Sequence, residues 1–410
     1  MTNKNNIPAG YKDSAVGIIP QEWEVKRLVD LCQNTGDYGI NAPAVPYRED
    51  LPTYLRITDI DGWGKFIETD KVSVDNPNSS QFILREGDIV FARTGATVGK
   101  TYLYDSKDGQ LVFAGFLIRF TPNSNKAIPY YIKTCTETAS YWNWVRVISQ
   151  RSGQPGINSV EYGAMKLAVP PMEEQRKIAE ILGVWDEAIE KQSRLIEKLE
   201  LRKRALMQRL LTGRTRLHGF TTPWQKVKLG EIFKERNETK CEHLPLLSIT
   251  AERGVILQSE SDKKDTSNDD KSKYKRIYPN DIGDNTMRMW QGRSALSAME
   301  GIVSPAYTIV TPKVGIDPLF ISELIKQPRV VYDFWTHSQG LVGDTLNCKF
   351  HDFSQVKVAI PSLPEQKAIT AVLTAADNEI NIHRKKLDAL RLQKRGLMQQ
   401  LLTGKTRVRI

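Results

Sequence analysis

Between Met172 and Leu211 the apolar residues Ile178, Leu182, Trp185, Ile189, Ile196, Leu199, Leu206 and Leu210 recur at alternating spacings of four and three. That is the seam of a heptad helix. Two seam positions are polar, Gln192 and Lys203. The frame returns 191 residues later as Ile369, Leu373, Ala376, Ile380, Leu387, Leu390, Leu397 and Leu401, with polar exceptions at His383 and Lys394, the counterparts of Gln192 and Lys203. Apolar seams tolerate few polar guests, so shared exceptions point to a device that sets register.

Start and stop signals agree with two long helices. Pro170-Pro171 and Pro361 to Pro364 permit a helix only beyond them. Glu173-Glu174 and Glu365 suit its N-terminus, and Thr212-Gly213 and Thr403-Gly404 suit its end. Roughly 40 residues at about 1.5 Å each gives a rod on the order of 60 Å. Each copy is acidic early (Glu180, Asp186, Glu187, Glu190) and basic late (Arg202, Lys203, Arg204, Arg209). An antiparallel pair therefore sets acidic ends beside basic ends and complements both helix dipoles. The seam allows two registers a heptad apart, with Gln192 facing either Lys394 or Leu387. The alternative is two core helices of separate domains; the length, the solvated outer faces and the shared polar positions favour the mutual coiled coil.

The regions upstream of the two helices differ from each other but share their ends. They open with Ile19-Pro20-Gln21-Glu22-Trp23 and Thr222-Pro223-Trp224, and close with Met165 to Val169 and Val356 to Ile360. Between lie short β-like runs such as Asp88 to Ala92, Leu111 to Ala114 and Ala306 to Val310, with short helices near Pro129 to Thr138 and Pro318 to Lys326. The fold class expected is α+β, with two pseudo-symmetric domains separated by two long helices forming an antiparallel coiled coil. The divisions are 1–169, 170–217, 218–360 and 361–410. The polar stretch Ser259 to Ser272 reads as a mobile loop.

Composition and chemistry narrow the function. The 410 residues carry a net charge of +10, which suits a polyanion partner. The first 14 residues lack the apolar core of a signal peptide and no run of 18 apolar residues occurs, so a cytoplasmic, non-membrane location is expected. Cys32, Cys135, Cys241 and Cys348 are scattered; Cys241 with His243 is the one close pair, so no disulfide and no metal site are expected. Gly95 to Thr101 imitates a phosphate-binding loop, but three residues separate its glycines where four are required, and a β-like run follows. It reads better as a hairpin whose tip carries Arg93, Thr94 and Lys100 outward. A second loop, Ser149-Gln150-Arg151-Ser152-Gly153-Gln154, has a counterpart in Ser338-Gln339-Gly340. Arg forks onto guanine, Gln onto adenine and hydroxyls onto phosphate, so such loops suit DNA, although they also occur without function. No nucleophile elbow or two-metal carboxylate cluster appears.

Several motifs together resemble the DNA specificity subunit of type I restriction-modification systems. They are Tyr11 to Ser14 with Gly17 to Pro20 and Trp23; Gly87 to Gly95; the Pro-rich helix starts ending in Glu-Gln at 171–175 and 362–366; both Leu-Met-Gln runs ending in Thr-Gly; and Met287 to Gly292 with Gly301 to Tyr307. The resemblance implies two target-recognition domains, each binding half of a bipartite double-stranded DNA target, and a helical spacer docking two methyltransferase subunits. Those partners would supply S-adenosylmethionine, and restriction nuclease/translocase subunits would supply ATP- and Mg-dependent cleavage; this chain would bind no cofactor and would not be an enzyme. Consistent with that, no Asn-Pro-Pro-Tyr or Asp-Pro-Pro-Tyr methylation motif occurs. The DNA-binding residues expected are Arg93, Thr94, Lys100, Gln150, Arg151, Ser152 and Gln154 in the first half. In the second they are Arg288, Gln291, Arg293, Ser338 and Gln339, where the Arg93-Thr94-Gly95 loop has no copy and Trp290 is either core or a stacking residue. The rival readings are a coiled-coil adaptor without sequence readout and an autonomous DNA-modifying enzyme.

Overall fold

The computed structural model describes residues 7–250, 253–261, 265, 267–340 and 346–409. Of the polar stretch 259–272, residues 262–264 and 266 lie outside the described residues. The chain divides into two compact units, residues 1–192 with 386–410, and residues 193–385. The boundary falls inside both long helices.

The first unit is built on an antiparallel sheet in the order Asp37–Tyr38, Leu117–Phe120, Ile89–Ala92, Thr101–Leu103. Ile89 and Phe91 enter one core, with Trp23, Phe120, Tyr131 and Tyr162; Val90 and Ala92 enter another, with Leu55, Tyr102, Phe113 and Leu117. A strand covered on both faces must be apolar at every position, which is why Ile89-Val90-Phe91-Ala92 does not alternate. Helices α1 (Pro129–Cys135), α2 (Ala139–Ile148) and α3 (Ser159–Gly163) cover the first core. The Thr138 side chain caps α2 by accepting from Tyr141 N, and Asn158 with Glu161 forms a capping box on α3. The globule leads into α4 (Met172–Leu210).

The second unit repeats this plan. Its sheet runs Phe233–Glu235, Tyr307–Pro312, Ile282–Asn285, Ser294–Leu296, again all antiparallel. Ile282 and Val310 enter one core, Ala295 and Ile309 the other. Around it stand α5 (Leu229–Ile232), α6 (Pro318–Leu324), α7 (Pro328–His337) and α8 (Phe350–Gln355), followed by α9 (Leu363–Leu401). The shared ends noted in the sequence pair with each other in both units: Glu24–Arg27 with Lys166–Val169, and Gln225–Lys228 with Lys357–Ile360.

Within each unit α4 and α9 pack antiparallel. In the first, Lys394 Nζ reaches Asp186 (2.7 Å) and Glu137 (3.1 Å), and Ile178 and Leu182 share a core with Met398 and Leu401. In the second, Lys203 Nζ reaches Asp377 at 2.6 Å, and Leu206 and Leu210 pack with Ile369 and Leu373. Lys203 and Asp377 are the repeat counterparts of Lys394 and Asp186, so one ion pair occurs twice. Its position resolves the open register: with Lys394 opposite Asp186, Gln192 falls beside Leu387 and not Lys394. Every seam residue is buried or half-buried, including Trp185, Ile189 and Leu390.

The Glu-Gln pair at each helix start does more than favour an N-terminus. Gln175 Oε1 accepts from Ile128 N while its Nε2 donates to Pro170 O; Gln366 does the same with Asp317 N and Pro361 O. Glu174 accepts from Trp23 Nε1 and Arg407, and Glu365 from Trp224 Nε1 and Arg216. These four side chains are almost fully buried, and each buried charge or amide has its partner. The globule is thereby fastened to its helix in the same way twice. Among the described residues no helix is long and apolar enough to cross a membrane.

Candidate nucleic-acid interface

In the first unit the segment Arg93 to Lys100 joins the strands Ile89–Ala92 and Thr101–Leu103, as the hairpin reading expected. It contains a 3-10 turn, Gly95–Thr97, and continues into a strand, where a phosphate-binding loop would open a helix. Gly95 and Gly99 hold φ of +72° and +90°, and a Cβ on Gly99 would lie 2.7 Å from Val145 of α2. Only glycine lets the turn sit this close to the helix.

Three further segments converge on this turn. Arg93 N donates to Phe116 O (3.0 Å), Arg93 O accepts from Ile157 N (2.9 Å), and Gly95 N donates to Pro155 O (3.0 Å). The Arg93 guanidinium lies 4.8 Å over the Tyr38 ring, and the Tyr38 hydroxyl accepts from Ser159 N. The ring attracts the cation while leaving its N–H groups without a carboxylate partner among the described residues. Gln154 lies against Gly95, and Gln150, Ser152 and Gln154 are exposed; Thr94 bridges Gly156 and is half-buried. Lys100 departs from the outward projection expected of the hairpin tip, and Arg151 is engaged within its own loop. Arg151 forks onto both oxygens of Glu161 (2.6 and 2.7 Å) and onto the carbonyls of Ile148 and Gln150. Lys100 Nζ turns back to Ile60 O at 2.7 Å. Both cations serve to hold loops.

The second unit carries its own version. Eight residues, Thr286 to Arg293, join Ile282–Asn285 to Ser294–Leu296, matching the eight from Arg93 to Lys100. Arg288, Gln291 and Arg293 are exposed on it, anchored by buried Met289. Gly292, at φ +72°, approaches Val331 of α7 as Gly99 approaches α2. Trp290 is half-buried with Nε1 donating to Met287 O, so it braces the turn. Ser338 donates to Phe334 O at the end of α7, and Gln339 donates to Asp352 while its backbone pairs with Asn347.

Sequence reasoning missed the aromatic residues of these faces. Tyr38 and Phe116 in the first unit, and Tyr332 and Trp335 in the second, are at least 40% exposed. The available signal was an aromatic beside glycine, Tyr38-Gly39 and Gly115-Phe116, where no apolar periodicity calls for one. The thiols of Cys32, Cys135 and Cys348 are pushed up to about 12 by burial, which suits packing and not reactivity. Among the described residues no three metal-ligating side chains gather.

Comparison with known proteins follows the same line. The type I restriction modification DNA specificity domain matches residues 20–201 and 320–392. A putative type I restriction enzyme MjaX specificity subunit of Methanocaldococcus jannaschii is 26% identical, over 97% of this chain and 97% of its own. The MjaVIII specificity subunit of that organism is 24% identical, over 95% and 94%. A chain solved in work on complex assembly and conformational transition of the type I R-M system superposes with a TM-score of 0.56 at 16% identity, covering 95% of this chain and 99% of that one. The type I restriction-modification S subunit from M. genitalium gives 0.54 at 13% identity, covering 98% and 99%. At these identities the two structures share a fold with this chain.

Proposed function

The chain belongs to the family of type I restriction modification DNA specificity domains, and from that premise we propose that each of its two units reads one half of a bipartite DNA target. In the first unit Arg93, set over the Tyr38 ring, presents its fork to guanine, with Gln150, Ser152 and Gln154 on the adjoining loop. In the second, Arg288, Gln291 and Arg293 occupy the equivalent turn. Thr94, Arg151, Lys100, Ser338 and Gln339 support these loops, and any contact they make with DNA is to the backbone. Catalysis belongs to partners: methyltransferase subunits docking on this chain and carrying S-adenosylmethionine, and nuclease subunits using ATP and Mg. The chain acts as the address of that complex and binds no cofactor itself.

The observation that supports this reading best is duplication with divergence. Sheet order, turn length, the glycine seated on a helix and the Glu-Gln fastening are the same in both units, while the exposed side chains of the turns differ. A frame copied twice with unlike payloads suits two different half-sites. Selection of random duplexes by the purified complex of this chain with its methyltransferase subunits tests it. Enrichment of a two-block sequence is expected. Binding without enrichment would instead identify a coiled-coil adaptor.

A further inference from the structure

Phe116 is 57% exposed, yet it sits on one of the most tightly fixed turns of the first unit. Leu117 N donates to Ala114 O (2.8 Å), Gly115 N to Ile40 O (2.8 Å), and Arg93 N to Phe116 O (3.0 Å). Neighbouring Gly39 admits no side chain, because a Cβ there would lie 2.3 Å from the carbonyl oxygens of Phe113 and Ala114. The backbone at Phe116 is therefore held in place while its ring packs on little. A lone exposed apolar residue is ordinary on a protein surface. This one is joined through its backbone carbonyl to Arg93, whose guanidinium lies over the Tyr38 ring.

We propose that Phe116 is a specificity-determining residue that contacts the 5-methyl group of a thymine next to the base read by Arg93. The inference rests on the DNA-reading function proposed above. An Arg fork reaches guanine O6 and N7 in the major groove, and the thymine methyl is displayed only in that groove. With its backbone held opposite Arg93, Phe116 presents its ring to the same groove wall, and a hydrocarbon surface there distinguishes thymine from cytosine without a hydrogen bond. Wedge insertion between base steps is the habit of minor-groove binders, whereas the guanine fork proposed for Arg93 places the ring at the major-groove edge.

The test uses the full chain in its methyltransferase complex. Random duplexes are selected with wild type and with Phe116→Ala, and the wild-type consensus is then remade with deoxyuridine replacing each thymine of the first block in turn. Wild type is expected to select a first block containing thymine, and Phe116→Ala to lose preference at that position alone. One deoxyuridine substitution should weaken wild type by about fourfold, the worth of one buried methyl-sized group, and leave Phe116→Ala unchanged. Because Phe116 is exposed, the variant should unfold at the wild-type temperature. A first block without thymine, identical selection by both proteins, or equal weakening of both by deoxyuridine would overturn the proposal. If wild type selects no sequence, the parent reading fails with it.

Discussion

Replacing Lys394 by methionine should destabilise the first unit far more than the same change at its repeat counterpart Lys203 destabilises the second. The Lys394 side chain is 9% exposed and its ammonium lies between Asp186 and Glu137, which keep about a quarter of their own surface. Burial alone would lower its pKa, but Glu137 and Asp186 outweigh burial and the net shift is upward. The cation is therefore charged at neutral pH, and its contribution is fully present there; it is lost only as pH rises through the elevated pKa. Removing it leaves Glu137 with Lys133 Nζ at 2.6 Å, but leaves the Asp186 carboxylate without a cation, held by the Tyr130 hydroxyl. Breaking a buried pair from one side costs about 3–5 kcal/mol; discounted for the exposure of the acids, about 2–3 kcal/mol is expected here. For a unit of about 200 residues that lowers the unfolding temperature by about 5–10 °C. Lys203 is 23% exposed and meets one acid, Asp377, itself 47% exposed, so Lys203→Met should cost about 1 kcal/mol or less. Thermal unfolding of the purified chain at pH 7, followed by circular dichroism, reads both. Adding Asp186→Asn to Lys394→Met should recover part of the loss, because it removes the uncompensated charge. Equal shifts for the two lysines, or a Lys394→Met shift within a degree or two, would refute the reasoning.

Three other outcomes follow from particular side chains. Asp284 is fully buried, neither carboxylate oxygen has a hydrogen-bond partner among the described residues, and burial raises its pKa well above the usual carboxylate range. Folding then takes up a proton, so stability falls as pH rises above the unfolded pKa; Asp284→Asn should raise the unfolding temperature more at about pH 8 than at about pH 4, and a pH-independent difference would contradict this. Arg93→Ala should weaken duplex binding by the assembled complex by about 1–3 kcal/mol and relax one position of the first block, whereas Arg151→Ala should chiefly loosen the loop held by Glu161 and lower thermal stability. Selection profiles in which Arg151→Ala, and not Arg93→Ala, removes a base preference would reverse these assignments.

What could be read in advance was whatever repeats with a period. The four-three seam fixed both helices to within a residue or two, and the polar guests at Lys203 and Lys394 turned out to be one ion pair used twice. Register stayed open because seam spacing is blind to a heptad shift; it took the acids Asp186 and Asp377, which lie beside the seam, to choose. The turn carrying Arg93 was legible from its glycines. The roles of Arg151 and Lys100 were not, since Glu161 and the Ile60 carbonyl that occupy them are brought in by other elements. Tyr38 and Phe116 were invisible for the same reason: the proposed reading face, assembled from four separated segments, has no linear pattern, and its aromatics look like stray surface residues until the strands align.

The central claim is that one chain carries two independent readers of DNA. Sequencing the methylated sites in a host that contains this chain and the methyltransferase subunits proposed to dock on it tests it most directly. Two recognised blocks separated by a constant gap are predicted, with Arg93→Ala degrading one block and Arg288→Ala the other. A single contiguous block, or methylation without sequence preference, would contradict the account.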